Sequence, residues 1–178
     1  MNKLPIILFL IGLSLPATAQ QIEWIKIEDL EAAQAKESRK VFIDMYTDWC
    51  GWCKRMDKTT FGHPGIANFV NEKFYAVKFN AESKDSVLFQ GQSFGFVKNG
   101  RRGYHELAAT LMQGKLSYPT IVYLDENLSL IQPVPGYMSA QDFERILSYL
   151  DGDHHKEQPW EQYKKNYQIR FTAKKEKS

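Results

Sequence analysis

The chain has 178 residues, 43% of them hydrophobic, a formal net charge of +2 and only two cysteines. So small a net charge makes no electrostatic case for nucleic-acid binding, and this hydrophobic content belongs to a globular chain rather than a disordered one. Two cysteines exclude the multi-bridge framework on which many small secreted domains depend.

Residues 1–19 read as a secretory signal peptide. Lys3 supplies the positive start, residues 4–15 are an almost unbroken apolar run, and Ala17-Thr18-Ala19 is a small-residue cleavage site. The run is shorter than the about 20 apolar residues that span a bilayer; the alternative is an uncut N-terminal anchor. Gln20 follows the cut, not the cysteine of a bacterial lipoprotein, and no other segment reads as transmembrane. The expectation is a domain at 20–150, periplasmic or secreted, with no stable membrane insertion after cleavage. A charged C-terminal extension at 151–178 follows, and Lys174, Lys175 and Lys177 read as a solvated tail.

Residues 22–27 alternate as a first strand, and the Ala, Glu and Lys of 28–39 predict a helix. Residues 40–46 are a compact apolar run with one acid, Asp44, inside it, as expected of a central strand buried on both faces. The cysteines follow at once, and 54–60 continues as a helix that Gly62-His63-Pro64-Gly65 breaks. A further helix is predicted at 66–72 and a strand at 74–79.

The region 86–115 is the least readable. It contains a hairpin around Asn99-Gly100 and a helix at 106–113 that Gly114 stops. Strands are predicted at 120–124 and 128–134, joined through Asp125-Glu126-Asn127. A helix runs from an N-cap at Ser139 to Leu150, with Asp142 near the capping-box position and Phe143, Ile146, Leu147 and Leu150 on its apolar face. The remainder is polar, with one helix near 159–167. This order predicts an α/β layer domain with a mixed sheet.

A bridge between Cys50 and Cys53 closes a very short loop and constrains the unfolded chain little, so chemistry is the better reason for the pair. Trp49-Cys50-Gly51-Trp52-Cys53-Lys54 leaves a buried strand and opens a helix, whose unpaired N–H groups and macrodipole favour a thiolate at Cys50. Cys50 then attacks a substrate disulfide, and Cys53, one turn further on, resolves the mixed disulfide. A C-x-x-C can also be half of a zinc site, but the four histidines form no second paired motif apart from His154-His155. A c-type haem site needs His after Cys53, where Lys54 stands. No cofactor and no metal site are therefore expected.

These residues resemble the active site of the thioredoxin superfamily, over about 40–150. The resemblance implies a thioredoxin fold: a central mixed sheet flanked by helices, here with an insertion at about 81–115 before the cis-proline strand. Asp44, six residues before Cys50, matches the buried acid that shuttles the resolving thiol's proton, and Lys78 matches the lysine beside it. Pro119 matches the cis-proline facing the cysteines, with the backbone of Tyr118 free to pair with substrate, and Gly136 matches the glycine before the last helix. The stretch 46–61 is similar to the C-terminal periplasmic domain of DsbD-type thiol transporters. Trp52 replaces the usual thioredoxin proline.

Asp44 alone could be a satisfied structural acid, Lys78 a strand lysine that snorkels, Pro119 an ordinary trans proline, and Trp49 and Trp52 core aromatics. The functional reading makes Cys50, Cys53, Asp44 and Lys78 the catalytic set and Trp49, Gly51, Trp52, Tyr118 and Pro119 the substrate-binding set. It implies an exported thiol–disulfide oxidoreductase working on protein thiols and disulfides in the reducing direction, supplied by a membrane electron donor. Oxidation or isomerisation is the second enzymatic reading, since direction depends on potential. A third reading is a binding module on the same scaffold, with Phe94, Phe96, Tyr104 and His105 holding a partner or a metal.

Overall fold

The computed structural model describes residues 20–172; residues 1–19, read above as a signal peptide, and Lys174, Lys175 and Lys177 lie outside the described residues. In chain order the elements are β1 (Trp24–Ile25), α1 (Leu30–Lys36), β2 (Lys40–Tyr46), α2 (Gly51–Met56), α3 (Pro64–Lys73) and β3 (Phe74–Asn80). Then come β4 (Val87–Phe89), β5 (Gln92–Phe94), β6 (Phe96–Asn99), β7 (Arg102–His105), α4 (Glu106–Leu111), β8 (Thr120–Leu124), β9 (Leu130–Pro135), α5 (Ala140–Asp151) and α6 (Trp160–Asn166).

A five-stranded sheet runs in the order β1-β3-β2-β8-β9. β1 and β2 lie parallel to β3, whereas β8 is antiparallel to both β2 and β9. β2 takes the centre because its side chains on both faces are apolar enough to be buried twice over. Val41, Ile43 and Met45 pack with Leu30 of α1 and Leu107 and Leu111 of α4. Phe42 faces the other way, towards Met56, Ile66 and Val70 of α2 and α3 and Phe143 and Leu147 of α5. The alternation puts Asp44 on the same face as Phe42, under α2. The mixed sheet with helices on both faces is the architecture that the resemblance implied.

Several boundaries differ from the expectation. β1 is only two residues long, and the helix expected at 28–39 is a 3-10 turn followed by α1, ending at Lys36. Glu37 is extended, and the Gln34 side chain bonds both the N–H and the C=O of Arg39, at 2.8 and 2.5 Å, which fixes the loop into β2. α2 starts at Gly51 with Cys50 as its N-cap, as expected, but it ends at Met56, and the rest of the expected helix is a π-helical turn, Asp57–Phe61. The insertion holds two hairpins, not one. The β6–β7 turn is at Gly100-Arg101, one position beyond Asn99-Gly100, and Asn99 pairs with Arg102. The unforeseen β4–β5 hairpin turns at Gln90-Gly91 with φ of 50° and 72°. That geometry favours Asn-Gly or Gly-Gly, so Gln90 gives no turn signal; its N–H is held by Glu31 Oε1 at 2.6 Å.

The described part of the C-terminal extension packs on the domain. α6 falls near the predicted 159–167, and Tyr149 of α5 meets Trp160 and Tyr163 at 5.3 and 5.0 Å between ring centroids. His154 and His155 lie half-buried against Tyr163 and Tyr149 respectively. Beyond α6 the chain returns to α5 and α3. The fully buried Glu144 carboxylate accepts the N–H groups of Arg170 and Thr172 at 2.6 and 2.8 Å and the hydroxyl of Tyr167 at 2.8 Å. Phe171 stacks on Phe69 at 4.7 Å. Gly65 is required there: a Cβ on it would lie 2.2 Å from the Phe171 carbonyl oxygen.

Candidate active site

β2 ends at Tyr46, and a short turn carries the chain to Cys50, whose N–H bonds Thr47 O at 3.1 Å. Cys50 has extended φ and ψ (−73°, 102°) and is the N-cap of α2, so its sulfur stands where a capping oxygen usually accepts. Cys50 Sγ accepts the N–H of Cys53 at 3.0 Å. The two cysteines are joined in a disulfide, with Cα atoms 5.3 Å apart. Both are nearly buried, at 4% and 3% exposure, while Trp49 and Trp52 are 57% and 56% exposed. The tryptophans are therefore rim groups, not core aromatics. Gly51 is exposed, and a Cβ added to it would meet nothing within 4 Å, so the fold does not demand glycine there.

The peptide bond Tyr118–Pro119 is cis. Tyr118 meets Trp49 edge-on at 5.9 Å, which sets this segment beside the cysteine loop. Pro119 O accepts from the N–H of Gly136, a residue with φ of 100°, at 2.8 Å. Among the described residues, neither backbone polar group of Tyr118 is hydrogen-bonded. On the opposite rim Trp52 packs 5.5 Å from Tyr137, and Arg55 lies over both rings at 5.3 and 5.6 Å.

Beneath α2, Asp44 is 1% exposed and neither carboxylate oxygen has a hydrogen-bond partner. Lys78 stands opposite in the β2–β3 register, its Nζ 3.7 Å from Asp44 Oδ2, an ion pair too long for a hydrogen bond. Burial pushes the Asp44 carboxyl up to about 7; Lys78 acts against the shift and the charge of Asp57 adds to it. Lys78 makes its close contact with Asp57, at the start of the π-helical turn, and its ammonium also lies 5.3 Å from the Tyr46 ring centroid. So Lys78 is held rather than snorkelling freely.

The sequence reading missed Asp57, Tyr137 and Arg55. Asp57 had a signal: Cys50, Cys53 and Asp57 fall at i, i+3 and i+7, one helical face. Tyr137 and Arg55 had none, because their pairing with Trp52 depends on how the end of β9 meets α2. The residues suggested for a partner or metal are differently placed. Phe94 and His105 are buried. His105 Nδ1 accepts from Leu107 N–H at 3.2 Å, so its Nε2 carries the proton and faces Asp85 O at 3.0 Å. Both ring nitrogens are thus used in fastening the insertion.

The family profile of the thioredoxin-like domain matches residues 27–151. The thiol:disulfide interchange protein DsbD of Pectobacterium atrosepticum is 29% identical over 126 residues, 68% of this chain and 18% of DsbD. DsbD of Vibrio vulnificus strain YJ016 is 30% identical over 135 residues, 71% of this chain and 19% of the relative. The chain thus spans less than a fifth of the length of these relatives. A thioredoxin-fold protein from Helicobacter pylori superposes with a TM-score of 0.55 at 21% identity, covering 72% of this chain and 79% of that one. A Thermus thermophilus thioredoxin gives 0.54 at 16% identity, covering 79% and 98%. The two structures share the fold, and the profile spans β2, β3, β8 and β9 of the sheet together with the cysteine pair: this chain is a DsbD-like member of the thioredoxin superfamily.

Proposed function

We propose that the protein is an exported thiol–disulfide oxidoreductase that reduces disulfides of protein substrates and is itself recharged by a membrane dithiol donor. The observation that carries the reading is the Cys50–Cys53 pair at the start of α2, with the Cys53 N–H on Cys50 Sγ and the unpartnered Asp44 on the sheet face below. Cys50, Cys53, Asp44 and Lys78 are its catalytic set.

In the reduced protein the Cys53 N–H and the start of α2 stabilise negative charge on Cys50 Sγ. The Cys50 thiolate attacks one sulfur of the substrate disulfide; a mixed disulfide forms and the other substrate sulfur leaves as a thiolate that takes a proton. Cys53 then gives its proton to Asp44 and attacks Cys50 Sγ; the Cys50–substrate S–S bond breaks, and the second substrate sulfur leaves as a thiolate that takes a proton. Two electrons and two protons pass to the substrate, and the protein ends in the disulfide form. A carboxyl with a pKa near 7 exchanges protons efficiently at neutral pH. Lys78, gripped by Asp57, fixes the local field on Asp44. Trp49, Trp52 and the cis Tyr118–Pro119 segment bind the substrate chain, the free backbone of Tyr118 pairing with it as an added strand.

Insulin reduction with dithiothreitol as the electron source tests this. Cys50→Ser abolishes turnover, and Cys53→Ser accumulates a mixed disulfide on Cys50. Undiminished turnover by Cys50→Ser overturns the reading. A potential near that of the strongest oxidants of this superfamily, about −120 mV in a glutathione buffer, reverses its direction.

A further inference from the structure

The inserted hairpin β6–β7 places positive charge beside the cysteine loop. Arg102 stacks its guanidinium over the Trp49 ring at 5.5 Å, which ties the hairpin to the residue before Cys50. Between them opens a cleft of about 530 Å³, floored by Trp49 and Phe96 and walled by Lys84, Lys98, Arg101 and Arg102. All four cationic residues are exposed, and among the described residues none is in an ion pair with a carboxylate. Glu82 is the single carboxylate in the lining; its Oε2 accepts the Trp49 Nε1–H at 3.0 Å and keeps its charge, so the four cations outnumber it and the lining stays positive. Asp48 and Asp85 accept hydrogen bonds from the neutral Asn80 and Ser83 and lie outside the lining. The cleft wall is a built feature: a Cβ on Gly103 would lie 2.2 Å from Phe96 Cζ, so glycine lets the Phe96 ring lie across β7.

We propose that this cleft receives an acidic segment of the protein substrate, next to the disulfide that the substrate presents to Cys50. The inference rests on the reductase reading and adds to it the class of substrate. Each exposed cation–carboxylate contact contributes only about 0.2–1 kcal/mol. Four cations of one sign around a concave surface nonetheless steer an acidic chain and set its register, and salt screens the effect. A peptide segment fits because the cleft is concave and ends one residue from Cys50. A flat anionic bilayer against the hairpin tip would bring no disulfide to that sulfur.

Two peptides with the same internal disulfide, one flanked by aspartates and one by serines, test the proposal in the presence of dithiothreitol. The wild type reduces the acidic peptide with kcat/KM about tenfold above the neutral one at low salt, and high salt removes the difference. The double variant Lys98→Glu, Arg101→Glu loses or inverts the preference, yet reduces the small uncharged bis(2-hydroxyethyl) disulfide at the wild-type rate. Binding is read separately: an acidic peptide with serines for cysteines changes the tryptophan fluorescence of the oxidised wild type and not of the double variant. Equal rates and no fluorescence change, or a preference that survives the double substitution, overturn the proposal. Failure of the wild type to reduce even the small disulfide, with peptide binding intact, overturns the reductase reading instead. Flotation with phosphatidylglycerol vesicles that depends on Lys98 and Arg101, with no peptide preference, assigns the charge to a membrane surface and overturns it too.

Discussion

Asp44 and Lys78 face one another across the β2–β3 pair, but the lysine leans away: its ammonium is 3.7 Å from Asp44 and in closer contact with Asp57. The buried carboxyl is therefore left short of neutralisation, and burial dominates its titration.

Asp44 has a folded pKa of about 7 against an ordinary 3.8, so the folded protein holds a proton that the unfolded chain releases between those values. The stability this group contributes is full below pH 4 and is lost as pH rises through 7. Asp44→Asn is expected to stabilise the oxidised protein by up to about 4 kcal/mol at pH 8 and hardly at all at pH 4. Urea unfolding at the two pH values checks this; a stabilisation of equal size at both would contradict it. The same variant loses an apparent pKa near 7 from the pH profile of mixed-disulfide resolution.

Two neighbours act on Asp44 with opposite signs. Lys78→Met raises its pKa further, because the lysine charge is what lowers it, whereas Asp57→Asn brings it down. Carboxyl-carbon NMR titration of the three proteins reads both shifts directly. Movement in the same direction by both variants would show that Lys78 acts through packing and not through charge.

Trp52 is 56% exposed and touches Tyr137 and Arg55 on the rim. Trp52→Ala should change stability by no more than about 1 kcal/mol. It should lower kcat/KM for a protein disulfide about tenfold, through loss of an aromatic contact, and leave a small soluble disulfide unaffected. Paired denaturation and kinetic measurements separate the two effects.

Glu144 binds the returning C-terminal segment. Burial pushes its carboxyl up, but hydrogen bonds from Thr172, Arg170 and Tyr167 more than offset this and hold it below the usual range. Its folded pKa is depressed, so its contribution is present above the unfolded value and is lost as pH falls through the folded one. Glu144→Gln is expected to cost about 2 kcal/mol at pH 7, since the amide turns a donor towards groups that donate, and less in acid. Gly65→Ala, which sets a Cβ against Phe171 O, should free the same segment at any pH. Limited proteolysis after α6 detects both.

The cysteine pair, the central strand and the capped helix were legible because each is a local matter. The apolar run of β2 has only one stable place in a sheet covered on both faces. Ser139 caps α5 as its side chain predicts, accepting the Asp142 N–H at 3.2 Å. C-x-x-C after a strand places one sulfur at a helix start and the other a turn later. The cis-proline was legible only through the resemblance.

Other features depend on residues far apart in the chain. Glu144 lies beside the apolar stripe of α5, and the return of residues 167–172 gives its carboxylate partners. Gln90 takes a left-handed turn because Glu31, distant in sequence, binds its N–H. Arg102 reads as a charged hairpin residue until the insertion folds it over Trp49. By itself the sequence determined the reactive pair, the elements that carry it and the burial of Asp44 within the central strand, because periodicity and capping act within a few residues. Only the tertiary structure decided which distant charge meets which, the grip of Lys78 on Asp57 and the basic cleft beside Trp49, because such partners are chosen by packing.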